Sequence, residues 1–223
     1  MFRIKVCGVA TADQARAAAA VGADAVGLNF YQASCRFLVP SAADAVAAAV
    51  PAGVLRVGLF VNAAVGEMLS AWETWSLDLL QLHGDEPPEV LAALEGRPVM
   101  RAFRIGPKGL SPALEYLAVC RAAGCLPRLV LLDACRPGHY GGTGETVDWE
   151  AVASYPSEPW HPPLVLAGGL TAENVAAAIA AVRPAAVDTA SGVETSPGCK
   201  DPARMAAFCR AAQAALAAIG PRP

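Results

Sequence analysis

Eight times along the chain a short apolar run of strand character is followed by a loop and then by a longer, alanine-rich segment. The runs fall at residues 2–7, 24–30 ("DAVGLNF"), 54–61 ("VLRVGLFV"), 77–82 ("LDLLQL"), 98–104 ("PVMRAFR"), 128–133 ("RLVLLD"), 164–167 ("LVLA") and 185–189 ("AAVDT"). They begin roughly 20 to 36 residues apart, which leaves room for a helical crossover after each. The segments between them carry helix punctuation. "TADQARAAAAVGAD" opens on a capping threonine and reaches a glycine, "SAADAVAAAV" lies between Pro40 and Pro51, and "TAENVAAAIAAV" stops before Pro184. Alternating β and α elements call for a parallel sheet, and eight such units favour closure over an open sheet. The expected fold is a single (β/α)8 TIM barrel occupying residues 1–223, with no linker or charge block to divide it.

Composition agrees and narrows the function. At 55% hydrophobic and 17% charged residues, the chain suits strands buried on both faces. A net charge of -3 offers no basic surface for a phosphodiester backbone, so a nucleic-acid partner is not expected. Apolar runs break well before the ~20 residues of a membrane span, which excludes a membrane partner. Seven cysteines, at 7, 35, 120, 125, 135, 199 and 209, form no C-x-x-C pair, and the N-terminus has no signal-peptide pattern. Free thiols in a reducing, cytoplasmic setting are expected. His83, His139 and His161 lack metal-ligand spacing, so no metal is expected.

A barrel of this kind collects its chemistry at the C-terminal ends of the strands. Those positions here carry Cys7-Gly8, Asn29, Arg36, Asn62, Gln81, His83-Gly84-Asp85, Arg104, Asp133, Gly168-Gly169 and Ser191-Gly192. The loops after strands 6, 7 and 8 are glycine-rich ("YGGTGETVDW", "LAGGLTAENV", "TASGVETSPGCKD"), and backbone N–H groups at such loops and helix starts favour an anion. A phosphorylated small-molecule substrate follows, while the absence of G-x-x-x-x-G-K-[ST] argues against nucleotide hydrolysis. Strand alternation turns Lys5 and Cys7 inward and Ile4 and Val6 outward. An inward lysine needs a counterion, and barrel closure makes Asp188 the expected partner. Beside that cation Cys7 is expected to have a lowered pKa. The same parity places Asp133 on the inner face with Leu129 and Leu131, so a thiol and a carboxylic acid face one cavity as a possible acid and base pair.

"KVCGV", "SCRFL", "VGLFVN", "LQLHGDE", "LLD", "GGTGETVDW", "LAGGLTAENV" and "VDTASGVETSPGCKD", in this order from residue 4 to about 201, resemble the phosphoribosylanthranilate isomerases. The resemblance implies a (β/α)8 barrel that works without a cofactor, by an Amadori rearrangement of N-(5-phosphoribosyl)anthranilate to 1-(2-carboxyphenylamino)-1-deoxyribulose 5-phosphate in tryptophan biosynthesis. It implies Cys7 as general base and Asp133 as general acid. Arg36 would hold the anthranilate carboxylate, His83 would line the pocket, and Gly142, Gly144, Gly168, Gly169, Ser191 and Gly192 would surround the phosphate. The assembly would be a monomer or a homodimer.

Two positions depart from the family pattern. Cys35 stands where a proline is usual between Ser34 and Arg36, which brings a second thiol near the active face and raises the expectation of a Cys35–Cys7 disulfide under oxidation. Ala190 removes a hydroxyl beside Ser191. The alternatives are a related isomerase of histidine biosynthesis, or a bifunctional relative, in which two aspartates are usual where this chain has Cys7 and Asp133. A barrel kept only as an interaction module would have lost that pair.

Overall fold

A computed structural model of the protein describes residues 1–134 and 149–219. Eight parallel strands, β1 (Ile4–Cys7), β2 (Ala25–Asn29), β3 (Leu55–Phe60), β4 (Leu79–Leu82), β5 (Val99–Ile105), β6 (Leu129–Ala134), β7 (Leu164–Leu166) and β8 (Ala186–Thr189), close in sequence order into a barrel. Each lies within about two residues of the boundaries read from the apolar runs. Closure comes from β1 pairing with β8, with Lys5 opposite Asp188.

The helices between them are α1 (Ala12–Ala20), α2 (Pro40–Ala49), α3 (Val65–Trp75), α4 (Pro88–Ala93), α5 (Ser111–Ala122), α6 (Trp149–Ala153), α7 (Val175–Val182) and α8 (Pro202–Ile219). Thr11 caps α1 by accepting from the Gln14 N–H at 3.2 Å. Pro40 opens α2 as its first residue, where a missing N–H costs nothing. The α7 helix begins three residues later than the Thr171 start signal: the Asn174 side chain accepts from the Thr171 N–H and donates to the Gly169 carbonyl, at 2.8 and 2.9 Å, so the intervening residues serve the loop instead. None of the described helices is long and apolar enough to cross a membrane.

Strand parity divides the core in two. Outward residues such as Ile4, Val6, Val26, Leu28, Val130 and Leu132 pack against the helices in one large cluster. Inward residues, among them Ala25, Val57, Leu79, Met100, Leu129, Leu131 and Val165, fill the barrel in a smaller one. This inner plug closes the lower part of the barrel and leaves the polar inward residues at the C-terminal mouth. One further feature rises there. After β8 a short 3-10 turn (Ser191–Val193) leads into an antiparallel hairpin of β9 (Glu194–Ser196) and β10 (Cys199–Lys200).

Candidate active site

The mouth of the barrel is a cleft lined by Cys7, Arg36, Gln81, His83, Asp133 and Asp188, with Gly168, Gly169, Ser191 and Gly192 along one side. The structure therefore brings together every expected site residue that it describes. Gly142 and Gly144, on which part of the phosphate expectation rests, lie outside the described residues, as do Cys135 and His139. Among the described residues no group of three or more His, Cys, Asp or Glu is placed to hold a metal ion.

Cys7 ends β1 with its side chain turned into the barrel, and Gly8 follows at φ +75, a left-handed backbone that favours glycine. A β-carbon on Gly8 would lie 2.5 Å from Arg36 Cδ, so this residue also makes room for the arginine stem. Across the β1–β2 ladder Cys7 sits opposite Gly27. There a β-carbon would come within 2.7 Å of Cys7 Sγ and 3.2 Å of Lys5 Nζ. The thiol and the ammonium share the space that this missing side chain leaves.

Lys5 Nζ donates to Asp188 Oδ2 at 2.9 Å, as strand parity and closure predict. The lysine is fully buried. Burial works against its charge, yet Asp188 and Cys7 outweigh it and hold the ammonium above its ordinary pKa. The expected lowering of the Cys7 pKa is not what the structure gives. Burial pushes the thiol up, Asp188 adds to that, and the opposing pull of Lys5 and Lys200 does not compensate. A neighbouring cation does lower a thiol, but here the cost of burying the thiolate is larger than that pull.

On the opposite wall, His83 lies between two partners. Its Nδ1 is 3.0 Å from Gln81 Nε2, and its Nε2 is 3.2 Å from Asp133 Oδ2. The segment that carries His83 is held from behind by Glu86, which accepts from the N–H of Asn62 at 2.7 Å and of Gly84 at 2.9 Å and pairs with buried Arg101. Arg101 in turn donates to the carbonyls of Leu82 and Gly84. The "LHGDE" stretch thus fixes its own loop.

Arg36 differs from expectation in one respect. The planar fork foreseen for a substrate carboxylate already holds one from the protein: Nε donates to Glu194 Oε1 at 2.7 Å and Nη2 to Oε2 at 2.6 Å. Lys200 Nζ donates to the same Glu194 Oε1 at 2.6 Å and to the Ala190 carbonyl at 2.9 Å. Burial opposes the Glu194 charge, but Arg36 and Lys200 keep its carboxyl below the usual range. A half-buried guanidinium without an anion would be costly, which explains the pairing. Sequence reasoning missed it because Glu194 lies 158 residues from Arg36, on a hairpin with no barrel counterpart.

The glycine side of the cleft is built by close backbone approach. Gly168 and Gly169 have φ +94 and +64. A β-carbon on Gly192 would stand 1.9 Å from the Leu170 carbonyl oxygen, which accepts the Thr189 hydroxyl at 2.8 Å. The loops after β7 and β8 are therefore in direct contact and present Gly168, Gly169, Ser191 and Gly192 as one surface, the arrangement that suits an anion.

A family model described as N-(5'-phosphoribosyl)anthranilate (PRA) isomerase matches residues 4–211. The N-(5'-phosphoribosyl)anthranilate isomerase of Acidithiobacillus ferrooxidans is 47% identical over 209 residues, spanning 93% of this chain and 96% of that relative. A crystal structure of phosphoribosyl anthranilate isomerase from Thermotoga maritima superposes with a TM-score of 0.84 at 37% identity, covering 96% of this chain and 100% of the other. A crystal structure of a phosphoribosyl anthranilate isomerase in complex with reduced 1-(o-carboxyphenylamino)-1-deoxyribulose 5-phosphate gives 0.81 at 34% identity with the same coverage.

Proposed function

The chain belongs to the N-(5'-phosphoribosyl)anthranilate isomerase family, and it is an isomerase of tryptophan biosynthesis; we propose how its own residues perform the reaction. The substrate is N-(5'-phosphoribosyl)anthranilate and the product 1-(2-carboxyphenylamino)-1-deoxyribulose 5-phosphate. The observation that carries the mechanism is that Cys7 and Asp133 face one cleft from β1 and β6, each with a positioning neighbour, Lys5 and His83 respectively.

Asp133 is the general acid. It gives its proton to the ribose ring oxygen, the C1–O bond breaks, and the nitrogen lone pair forms an iminium. When Gln81 Nε2 donates to Nδ1 of His83, the ring proton lies on Nε2, the nitrogen 3.2 Å from Asp133 Oδ2, so the imidazole sits beside the acid as a neutral neighbour. Cys7, as thiolate, takes the C2 proton that the iminium acidifies, and the C2–H electron pair shifts to give an enolamine. The enolamine then tautomerises to the ketone, C1 gaining a proton as the C2 hydroxyl loses one, and exchange with solvent takes the proton from Cys7 and returns one to Asp133. The reacting form of the enzyme is the one whose Cys7 has already released its proton to solvent; burial disfavours that form, and the iminium charge stabilises the thiolate once the ring has opened. No covalent bond forms between sulfur and substrate.

Arg36 binds the anthranilate carboxylate, and the phosphate lies against Gly168, Gly169, Ser191 and Gly192, joined by Gly142 and Gly144. The two anionic ends are held apart by the cleft, with the reacting carbons between Cys7 and Asp133. The enzyme is a single domain that works in the cytoplasm on a free phosphorylated metabolite. A general acid or base step is worth about 10²- to 10⁴-fold, so Cys7→Ala and Asp133→Asn should each lower kcat by at least about 100-fold with KM little changed. The decay of substrate fluorescence reads the rate directly. Turnover near the unsubstituted level in either variant would remove that residue from its role.

A further inference from the structure

The geometry points to Glu194 and Lys200 as positioning residues that present Arg36 to the carboxylate of the substrate and so set the preference for a carboxylated aryl amine. The inference rests on the carboxylate-binding reading of Arg36. A guanidinium has two usable edges. Glu194 fills the Nε–Nη2 edge of Arg36 with two hydrogen bonds at 2.7 and 2.6 Å. The Nη1–Nη2 edge, in the same plane, keeps two N–H groups, and among the described residues Arg36 makes no other side-chain hydrogen bond. A second carboxylate can therefore dock without displacing the first. The plane in which it docks is the one that Glu194 imposes.

Charge makes Lys200 necessary to this arrangement. Arg36 with Glu194 alone is neutral and would attract a carboxylate only through its dipole. Lys200 Nζ, 2.6 Å from Glu194 Oε1, returns the cluster to a net single positive charge. The side chains of Glu194 and Lys200 are 4% and 0% exposed, so this charge acts with little screening by water. The hairpin that carries both is itself anchored. Lys200 donates to the Ala190 carbonyl at 2.9 Å, Arg204 donates to the Glu194 carbonyl, and Gln14 donates to the Gly198 carbonyl at 3.1 Å. Its turn also lies against the loop that bears Arg36, since a β-carbon on Gly198 would be 3.1 Å from the Cys35 carbonyl oxygen. The cluster ties three βα loops into one receptor.

The test compares kcat/KM for N-(5'-phosphoribosyl)anthranilate with that for N-(5'-phosphoribosyl)aniline, which lacks the carboxylate, in Lys200→Met, Glu194→Gln and Arg36→Met. Taking the ratio on one preparation cancels any unfolded fraction. Lys200→Met should lower the ratio about tenfold, through KM of the carboxylated substrate, with kcat little changed. Glu194→Gln should lower it as well, since an amide cannot accept both Arg36 donors with the same charge. If Arg36→Met abolishes the preference while both other variants keep it, the positioning role is wrong and the reading of Arg36 stands. A tighter KM in Glu194→Gln would overturn the role too, because it would make Glu194 a competitor of the substrate. If Arg36→Met leaves the ratio intact, the reading of Arg36 fails and this inference with it.

Discussion

Gly27→Ala should cripple the enzyme through a single methyl group that touches no substrate. Its β-carbon would stand 2.7 Å from Cys7 Sγ, 3.0 Å from Cys7 Cα and 3.2 Å from Lys5 Nζ. Ordinary contact begins near 3.4 Å, so the sulfur has to withdraw by at least about 0.7 Å. The backbone is not free to yield instead. The β1–β2 ladder runs through this pair, and the N–H groups of Gly8 and Val9 both donate to the Gly27 carbonyl, at 2.9 and 3.1 Å. Displacing a catalytic group by about 1 Å can cost about 100-fold, so kcat should fall by roughly that factor with KM little altered. Overpacking of this kind costs about 1–3 kcal/mol, and the melting temperature should drop by only a few degrees. The assay is fluorescence decay at saturating substrate, repeated in a Cys7→Ala background. There the added methyl has no sulfur to displace, so Gly27→Ala should cost almost nothing further. A kcat within about threefold of the unsubstituted enzyme, or an equal loss in both backgrounds, would refute the reasoning.

Two more outcomes follow from the same geometry. Because burial raises the Cys7 pKa and the thiolate is the active base, kcat/KM should climb as pH rises above neutral towards that pKa. Removing the pair with Lys5→Met and Asp188→Asn takes away a stronger lowering influence than raising one, so the climb should move to higher pH; an initial-rate profile that does not move would separate Lys5 from the base. In Gly192→Ala a β-carbon would meet the Leu170 carbonyl oxygen at 1.9 Å, which no side-chain adjustment can relieve. The loops after β7 and β8 should separate, raising KM about tenfold and weakening inhibition by inorganic phosphate, and unchanged values of both would count against the phosphate surface.

What the sequence made legible was whatever depends on period. Eight apolar runs at crossover spacing lead to the barrel, two-residue alternation turns Lys5, Cys7 and Asp133 inward, and closure of β8 on β1 pairs Lys5 with Asp188. Features that depend on register or on long-range contact were not legible. Gly27 becomes meaningful only once it stands opposite Cys7, and Glu194 only once a hairpin after β8 carries it to Arg36. The direction of the Cys7 pKa was misjudged for a related reason. A lysine in the sequence reads as a positive field, and that field does pull on Cys7, but in the folded barrel burial of the thiol outweighs the pull and Asp188, 2.9 Å from Lys5, offsets part of it.

The pairing of β1 with β8 also has a consequence for how the molecule is made. Lys5 leaves the ribosome 183 positions before its counterion Asp188. Until β8 is in place, a barrel that has begun to collapse holds a buried ammonium without an anion, a defect worth about 3–5 kcal/mol. Unfinished chains are thus penalised at the very seam where the last strand must insert. The ion pair that shapes the surroundings of the sulfur also marks the last barrel strand as in place, so a chain stopped before β8 lacks both the charge balance and the active base's environment at once.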